Sequence, residues 1–243
     1  MMPTINSMKA RIIFCQVMAV CFFFTLSCAS AGTPPAAASP SVQAAPSNET
    51  APLQQDVLPE DPYQRGLALI LRGKYDEARL SFEAVLAQNQ ADKNALYQRG
   101  GSLLKLNRVD DAWADFEKIV AMDSESDLGN VGKAQVFIKK GDYPSASVEI
   151  EAALAKKPES AEAHFYKGIV QGYQKKTDAA VASLKKCLEI SPAHAYAHYQ
   201  IGLAYNQLKR KDLAVVHFEK FLGLAPFAPE APQVRNLLNF LRR

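Results

Sequence analysis

Cysteine, histidine and paired carboxylates are the side chains with chemistry to offer in this chain, and their positions limit what that chemistry can be. Cys28 ends an apolar run and follows Thr25-Leu26-Ser27, where a thiol could carry a lipid. Cys15 and Cys21 lie within that run, so only Cys187 remains in the rest of the chain and no disulfide can form there. His194 and His198 are four residues apart, a spacing that shares one helix face and can present two nitrogens to a metal. His164 stands 34 residues before His198. No thiol or carboxylate offers itself as a third ligand, and His164 and His198 occupy a place that Leu96 fills elsewhere, so packing is expected and no metal or cofactor. Asp76-Glu77 and Asp110-Asp111 fall where helices begin, and the helix dipole favours anions there without any catalytic purpose. A Gly-rich phosphate loop, GxSxG and CxxC are all missing from the sequence. These residues assemble no nucleophile–base pair, and an enzyme is not expected.

The elements around these residues begin with a leader, residues 1–30. Lys9 and Arg11 precede the apolar run Ile12–Leu26, which small residues follow. Met8 is a second possible start. At about 1.5 Å per residue the run would span ~22 Å, short of a bilayer core of ~30 Å, so it suits a signal peptide better than a stable span. Two cleavage sites remain open. Thr25-Leu26-Ser27-Cys28 resembles a bacterial lipobox, although Leu usually stands where Thr25 does, and it would make Cys28 the lipid attachment site. Ala29-Ser30-Ala31 instead fits ordinary signal-peptidase cleavage. Residues 31–58 are rich in Ala, Pro and Ser and nearly free of bulky apolar side chains, the composition of a disordered tether. Asn48-Glu49-Thr50 matches a glycosylation sequon but sits in this polar linker, where a chance tripeptide explains it.

Beyond residue 58 the chain repeats. Gly66, Gly100, Ala134, Gly168 and Gly202 are 34 residues apart, as are Ala78, Ala112, Ala146, Ala180 and Ala214. A bulky series follows four residues after each alanine: Phe82, Phe116, Ile150, Leu184 and Phe218. Pro158, Pro192 and Pro226 close the later units, with Gln90 and Ser124 at the earlier places. Gly66 and Ala78 let two helices approach closely, and Gly73 and Gly141 suit a left-handed residue that closes a helix. Asp142 before Tyr143-Pro144 reads as an N-cap with proline in the first turn. Cys187 takes the place of Val85, Ile119, Ala153 and Phe221, hence buried packing. Trp113, after Ala112, is expected to pack as well.

This lattice resembles the tetratricopeptide repeat, a helix–turn–helix unit with a small residue, an alanine, a bulky residue and a proline at fixed offsets. The resemblance covers residues 59–228 as five units, 59–92, 93–126, 127–160, 161–194 and 195–228. It lacks the family's opening Trp, and Lys175 and Lys209 stand where Gly73 and Gly141 end a first helix. It implies an all-α, right-handed α-solenoid of five helix pairs. Residues 229–243 follow, with Val234, Leu237, Leu238 and Leu241 on one helical face, as a C-terminal capping helix over the last pair.

The chain is 48% hydrophobic and 22% charged with a formal net charge of +3, ample for a core and lacking the excess charge of a nucleic-acid binder. The family resemblance implies a non-catalytic scaffold or adaptor that holds a protein or peptide segment in its concave groove. In the family the stripe next to the packed one lines that groove. Here it carries Tyr63, Tyr97, Val131, Phe165 and Tyr199, then Leu67, Gly101, Gln135, Ile169 and Leu203, with Tyr173 and Tyr196 nearby. Such a lane suits a segment with bulky apolar side chains. The alternative is that these aromatics belong to the inter-repeat core. A structural, self-assembling module is the competing function. The leader, the thiol and the tether together predict a cell-envelope address, an outer-membrane lipoprotein facing the periplasm through a Cys28 anchor, or else a soluble periplasmic or secreted protein.

Overall fold

The computed structural model describes residues 57–243. The leader, Cys28 and the linker up to residue 56 lie outside them. Among the described residues there are eleven helices and no strands. Five antiparallel pairs follow one another: α1 (Pro62–Leu71) with α2 (Tyr75–Gln88), α3 (Lys93–Lys105) with α4 (Val109–Met122), α5 (Asp127–Lys140) with α6 (Tyr143–Lys156), α7 (Ala161–Tyr173) with α8 (Thr177–Ile190), and α9 (Ala195–Gln207) with α10 (Lys211–Leu224). A last helix, α11 (Ala231–Leu241), lies on α10. Each helix packs on its chain neighbour, and the first helices of adjacent pairs also touch, which stacks the pairs into a solenoid.

Local chemistry sets the helix ends. Asp61, Asp92, Asp142 and Ser160 each accept a hydrogen bond from the amide three residues on, capping α1, α3, α6 and α7. The turns between paired helices all pass through a left-handed residue. Gly73 and Gly141 have φ of 71° and 78°, and Asn107, Lys175 and Lys209 hold 63°, 62° and 59°. Asn tolerates that conformation well, whereas lysine adopts it at some cost.

The small–alanine–bulky lattice forms the interior. Ala78, Ala112, Ala146 and Ala214 are fully buried, as are Phe82, Phe116 and Phe218. A Cβ on Gly66 would meet the Phe82 ring at 2.5 Å, and one on Gly100 would meet Phe116 at 2.5 Å. The glycine is therefore the socket for the aromatic ring of its own second helix. Cys187 is wholly buried, and burial pushes its thiol up to about 12. Val234, Leu238 and Leu241 bury the inner face of α11 against the last pair, with Leu237 half-buried beside them. No described helix is long and apolar enough to cross a membrane.

Candidate binding surface

The stripe of aromatics on the first helices splits by burial. Tyr97 and Phe165 are buried, 5% and 9% exposed, and belong to the inter-repeat core. The Tyr97 ring packs on Phe116, and Phe165 packs between Tyr166 and His194. Tyr63 is half-buried, edge-on to Phe82 at 5.7 Å. Tyr196 and Tyr199 are half-buried against Phe221, and Ile169 joins the same C-terminal cluster. Tyr173 and Leu203 stand out into solvent, 55% and 37% exposed. Tyr173 stacks on Tyr143 with ring centroids 4.8 Å apart and planes 16° off parallel.

Sequence reasoning supplied these positions but not the polar thread between them. Gln135 on α5 donates to the Tyr97 hydroxyl on α3 at 2.9 Å, and that hydroxyl donates to Glu162 on α7 at 3.3 Å. Glu162 lies 3.5 Å from His194 Nε2, while His194 Nδ1 accepts the Ala197 amide as the cap of α9. Three successive repeats are thus tied through one line of side chains, which reaches the next through the His194 cap of α9. Burial, reinforced by the Glu162 charge, raises the Tyr97 hydroxyl well above its ordinary range, and Tyr166 beside it is raised for the same reasons. Both stay neutral and serve as hydrogen-bonding groups. The signal in sequence was slight: Gln135 is the one amide in a row otherwise made of Leu67, Gly101, Ile169 and Leu203.

A second unforeseen feature is contact between the first pair and the end of the chain. A Cβ on Gly73 would lie 2.4 Å from Pro229 Cγ, and the Arg72 guanidinium sits 5.7 Å from the centroid of the Phe227 ring. Tyr196 donates to Glu230 in the α10–α11 connection at 3.1 Å. Leu71 of α1 packs against the C-terminal hydrophobic cluster. The α1–α2 turn therefore meets the α10–α11 connection, and the two ends of the solenoid are in touch.

The histidines pair differently from their spacing in sequence. His198 Nδ1 faces His217 Nδ1 at 3.1 Å, while its Nε2 bonds the Pro192 carbonyl at 3.1 Å. His164 Nε2 does the same to Pro158 at 3.0 Å. Two units before the couple, its place is taken by Asn130 and Glu149, bonded at 2.6 Å. The couple thus bridges the first and second helices of a repeat, a role shared by another polar pair. No group of three or more His, Cys, Asp or Glu able to hold a metal occurs among the described residues. Trp113 packs edge-on to Phe137 at 5.9 Å with the Lys133 ammonium over it. Asp76, Glu77 and Asp111 pair with Arg79, Lys74 and Arg108 respectively. Arg99 forms a two-pronged bond to buried Asp115, at 2.9 and 2.5 Å, beside a small cleft lined by Glu83, Gln90 and Lys118.

Known proteins share this fold. Tetratricopeptide repeat family models match residues 63–127 and 131–180, and a second model of that description matches 195–227. The chain is similar in structure to TTC0263, a thermophilic TPR protein of Thermus thermophilus, at a TM-score of 0.59 and 25% identity over 74% of this chain and 97% of that one. It is similar also to PilF of Pseudomonas aeruginosa, at a TM-score of 0.53 and 24% identity over 64% of this chain and 69% of that one, a likeness of fold alone. No curated protein sequence matches it significantly.

Proposed function

Because the chain belongs to the tetratricopeptide repeat family, whose fold supports protein–protein interaction, we propose that it is a non-catalytic scaffold or adaptor of the cell envelope. Its first-helix face holds a protein segment with bulky apolar side chains. The observation that carries this is the exposure of Tyr173 and Leu203 on a stripe whose other members Tyr63, Tyr199 and Ile169 are half-buried. Each tyrosine offers apolar area and a polar tip at little entropic cost. Tyr97 and Phe165 hold that surface from beneath. Replacing Tyr173 and Leu203 together by Ala should remove co-purifying partners and leave the melting midpoint nearly unchanged. An unchanged set of partners would contradict the proposal.

The envelope address rests on the leader and on Cys28. Two acyl chains, at about 0.8 kcal/mol per buried methylene, would hold the protein on a membrane stably. Ala29 is not the Asp that retains lipoproteins in the inner membrane of two-membrane bacteria, which points outward to the outer membrane. With Cys28→Ser the protein should move from the membrane to the soluble fraction. A wild type already soluble, or a variant equally membrane-bound, would refute the anchor.

Self-assembly is the second reading, and a separate surface favours it. Leu80, Val148 and Val216 stand at the same place on second helices α2, α6 and α10 and are 51%, 69% and 50% exposed. A concentration-independent monomer in light scattering would exclude it.

A further inference from the structure

The turns between paired helices carry charge unevenly. In a stack of antiparallel pairs these turns all fall on one edge of the solenoid, successive turns about 10 Å apart. In the first two pairs the cations of the turn are equalled in number by acids: Arg72 and Lys74 stand with Asp76 and Glu77, Lys105 and Arg108 with Asp110 and Asp111, and Lys74 bonds Glu77 as Arg108 bonds Asp111. In the last three, the second acid of the following helix is lost, replaced by Ser145, Ala179 and Leu213. Cations accumulate instead: Lys139, Lys140, Lys175, Lys176, Lys209, Arg210 and Lys211 are all exposed, and none of the seven enters an ion pair among the described residues. Only Asp142, Asp178 and Asp212 oppose them at the turns, and Asp142 is engaged as a helix cap.

Two of these lysines occupy costly backbone. Lys175 and Lys209 hold φ of 62° and 59°, where Gly73 and Gly141 stand in the first and third pairs. Glycine would relieve the strain and asparagine would lessen it, as Asn107 does in the second pair. Cations at a helix C-terminus gain from the dipole, but that gain needs no left-handed lysine. Large aromatics lie exposed on the same edge: Tyr173, 55% exposed and stacked on Tyr143, and Phe240, 66% exposed beneath the Lys211 ammonium.

We infer that this edge, the α5–α6, α7–α8 and α9–α10 turns with Tyr173 and Phe240, docks on an anionic phospholipid surface. Six of the seven cations are lysines, compact hydrated charges suited to a diffuse negative field. A site for one acidic peptide would favour arginine forks that grip carboxylates in pairs. The edge is an outward row of turns, and its aromatics suit the headgroup level of a bilayer, with apolar bodies and, for Tyr173, a polar tip. This contact is independent of the proposed Cys28 anchor, meets the first-helix face only at Tyr173, and would set how the solenoid lies against the membrane.

The test is partitioning of the full chain onto vesicles of phosphatidylcholine alone or with roughly a third phosphatidylglycerol. The leader is common to every variant, so comparison between variants isolates the edge. At low salt, Lys139→Gln, Lys176→Gln and Lys211→Gln together should weaken binding to the anionic vesicles about a hundredfold, and about 1 M salt should abolish the difference. The same change at Lys118, Lys157 and Lys220, exposed and off this edge, should cost less than roughly threefold, although it removes equal charge. Equal loss from both triple variants, or no loss from the edge variant, overturns the inference. So does a wild type indifferent to phosphatidylglycerol. Binding of poly-glutamate in place of anionic vesicles also overturns it and identifies an acidic protein as the occupant.

Discussion

His217 and His198 face each other across the last pair with their Nδ1 atoms 3.1 Å apart. Burial, then the neighbouring His198 and Lys185, lowers His217 to about 4, and burial likewise lowers His198. Two imidazolium rings cannot share this space. A histidine whose folded value lies below its unfolded value favours folding while it is neutral. The stability it contributes is complete above the unfolded value near 6.5 and is lost as pH falls from there towards 4. Partial exposure discounts the effect to about 1 kcal/mol. Melting midpoints should decline across that window, before the depressed carboxyl groups of Asp123 and Asp142 begin to titrate, and His217→Asn should flatten the decline. An identical pH profile for wild type and variant would show that the pair does not carry it.

Among the elements, the helix pairs were readable because their packing is local. Gly66 with Phe82, or Gly100 with Phe116, needs only one 34-residue unit to be recognised, and repetition multiplies the signal. Ala146 is the central member of the alanine series and is fully buried beside Ala134, Ile150 and Val170. Ala146→Leu should cost about 1–3 kcal/mol by overpacking. The same change at the exposed position Ala155 should leave the melting midpoint unmoved. Equal midpoints would mean that the lattice does not fix the spacing of α5 and α6. Burial along the first-helix stripe was less legible, since periodicity places a residue on a face without saying how deep that face lies. Tyr97 and Tyr173 both belong to it, yet one is 5% exposed and the other 55%. Tyr97 shares its cluster with Ala163 and Tyr166 and bonds Glu162, 65 residues on, and a repeat-by-repeat comparison does not bring these together.

At the scale of the whole solenoid, contact between its ends adds to a stability otherwise built from nearest neighbours. Gly73 and Gly141 isolate that contribution. Both have positive φ, so alanine strains either one by about 1 kcal/mol. Only Gly73 also has a neighbour in the way, Pro229, whereas nothing lies within 4 Å of a Cβ on Gly141. Gly73→Ala should therefore lower the melting midpoint more than Gly141→Ala. It should also speed amide exchange in α1, α2 and α11 together, with α5 and α6 unaffected. Equal shifts for the two variants would mean that the ends do not support each other.

The claim that the first-helix face receives a partner can be tested where it acts, in the intact cell. A photo-crosslinking residue placed at Tyr173, and separately at Val148 on α6, samples two exposed positions on different faces. Crosslinking followed by mass spectrometry should yield a distinct partner protein from position 173 and none of it from position 148. Products composed only of this chain, or the same partner from both positions, would contradict a binding surface on the first-helix face.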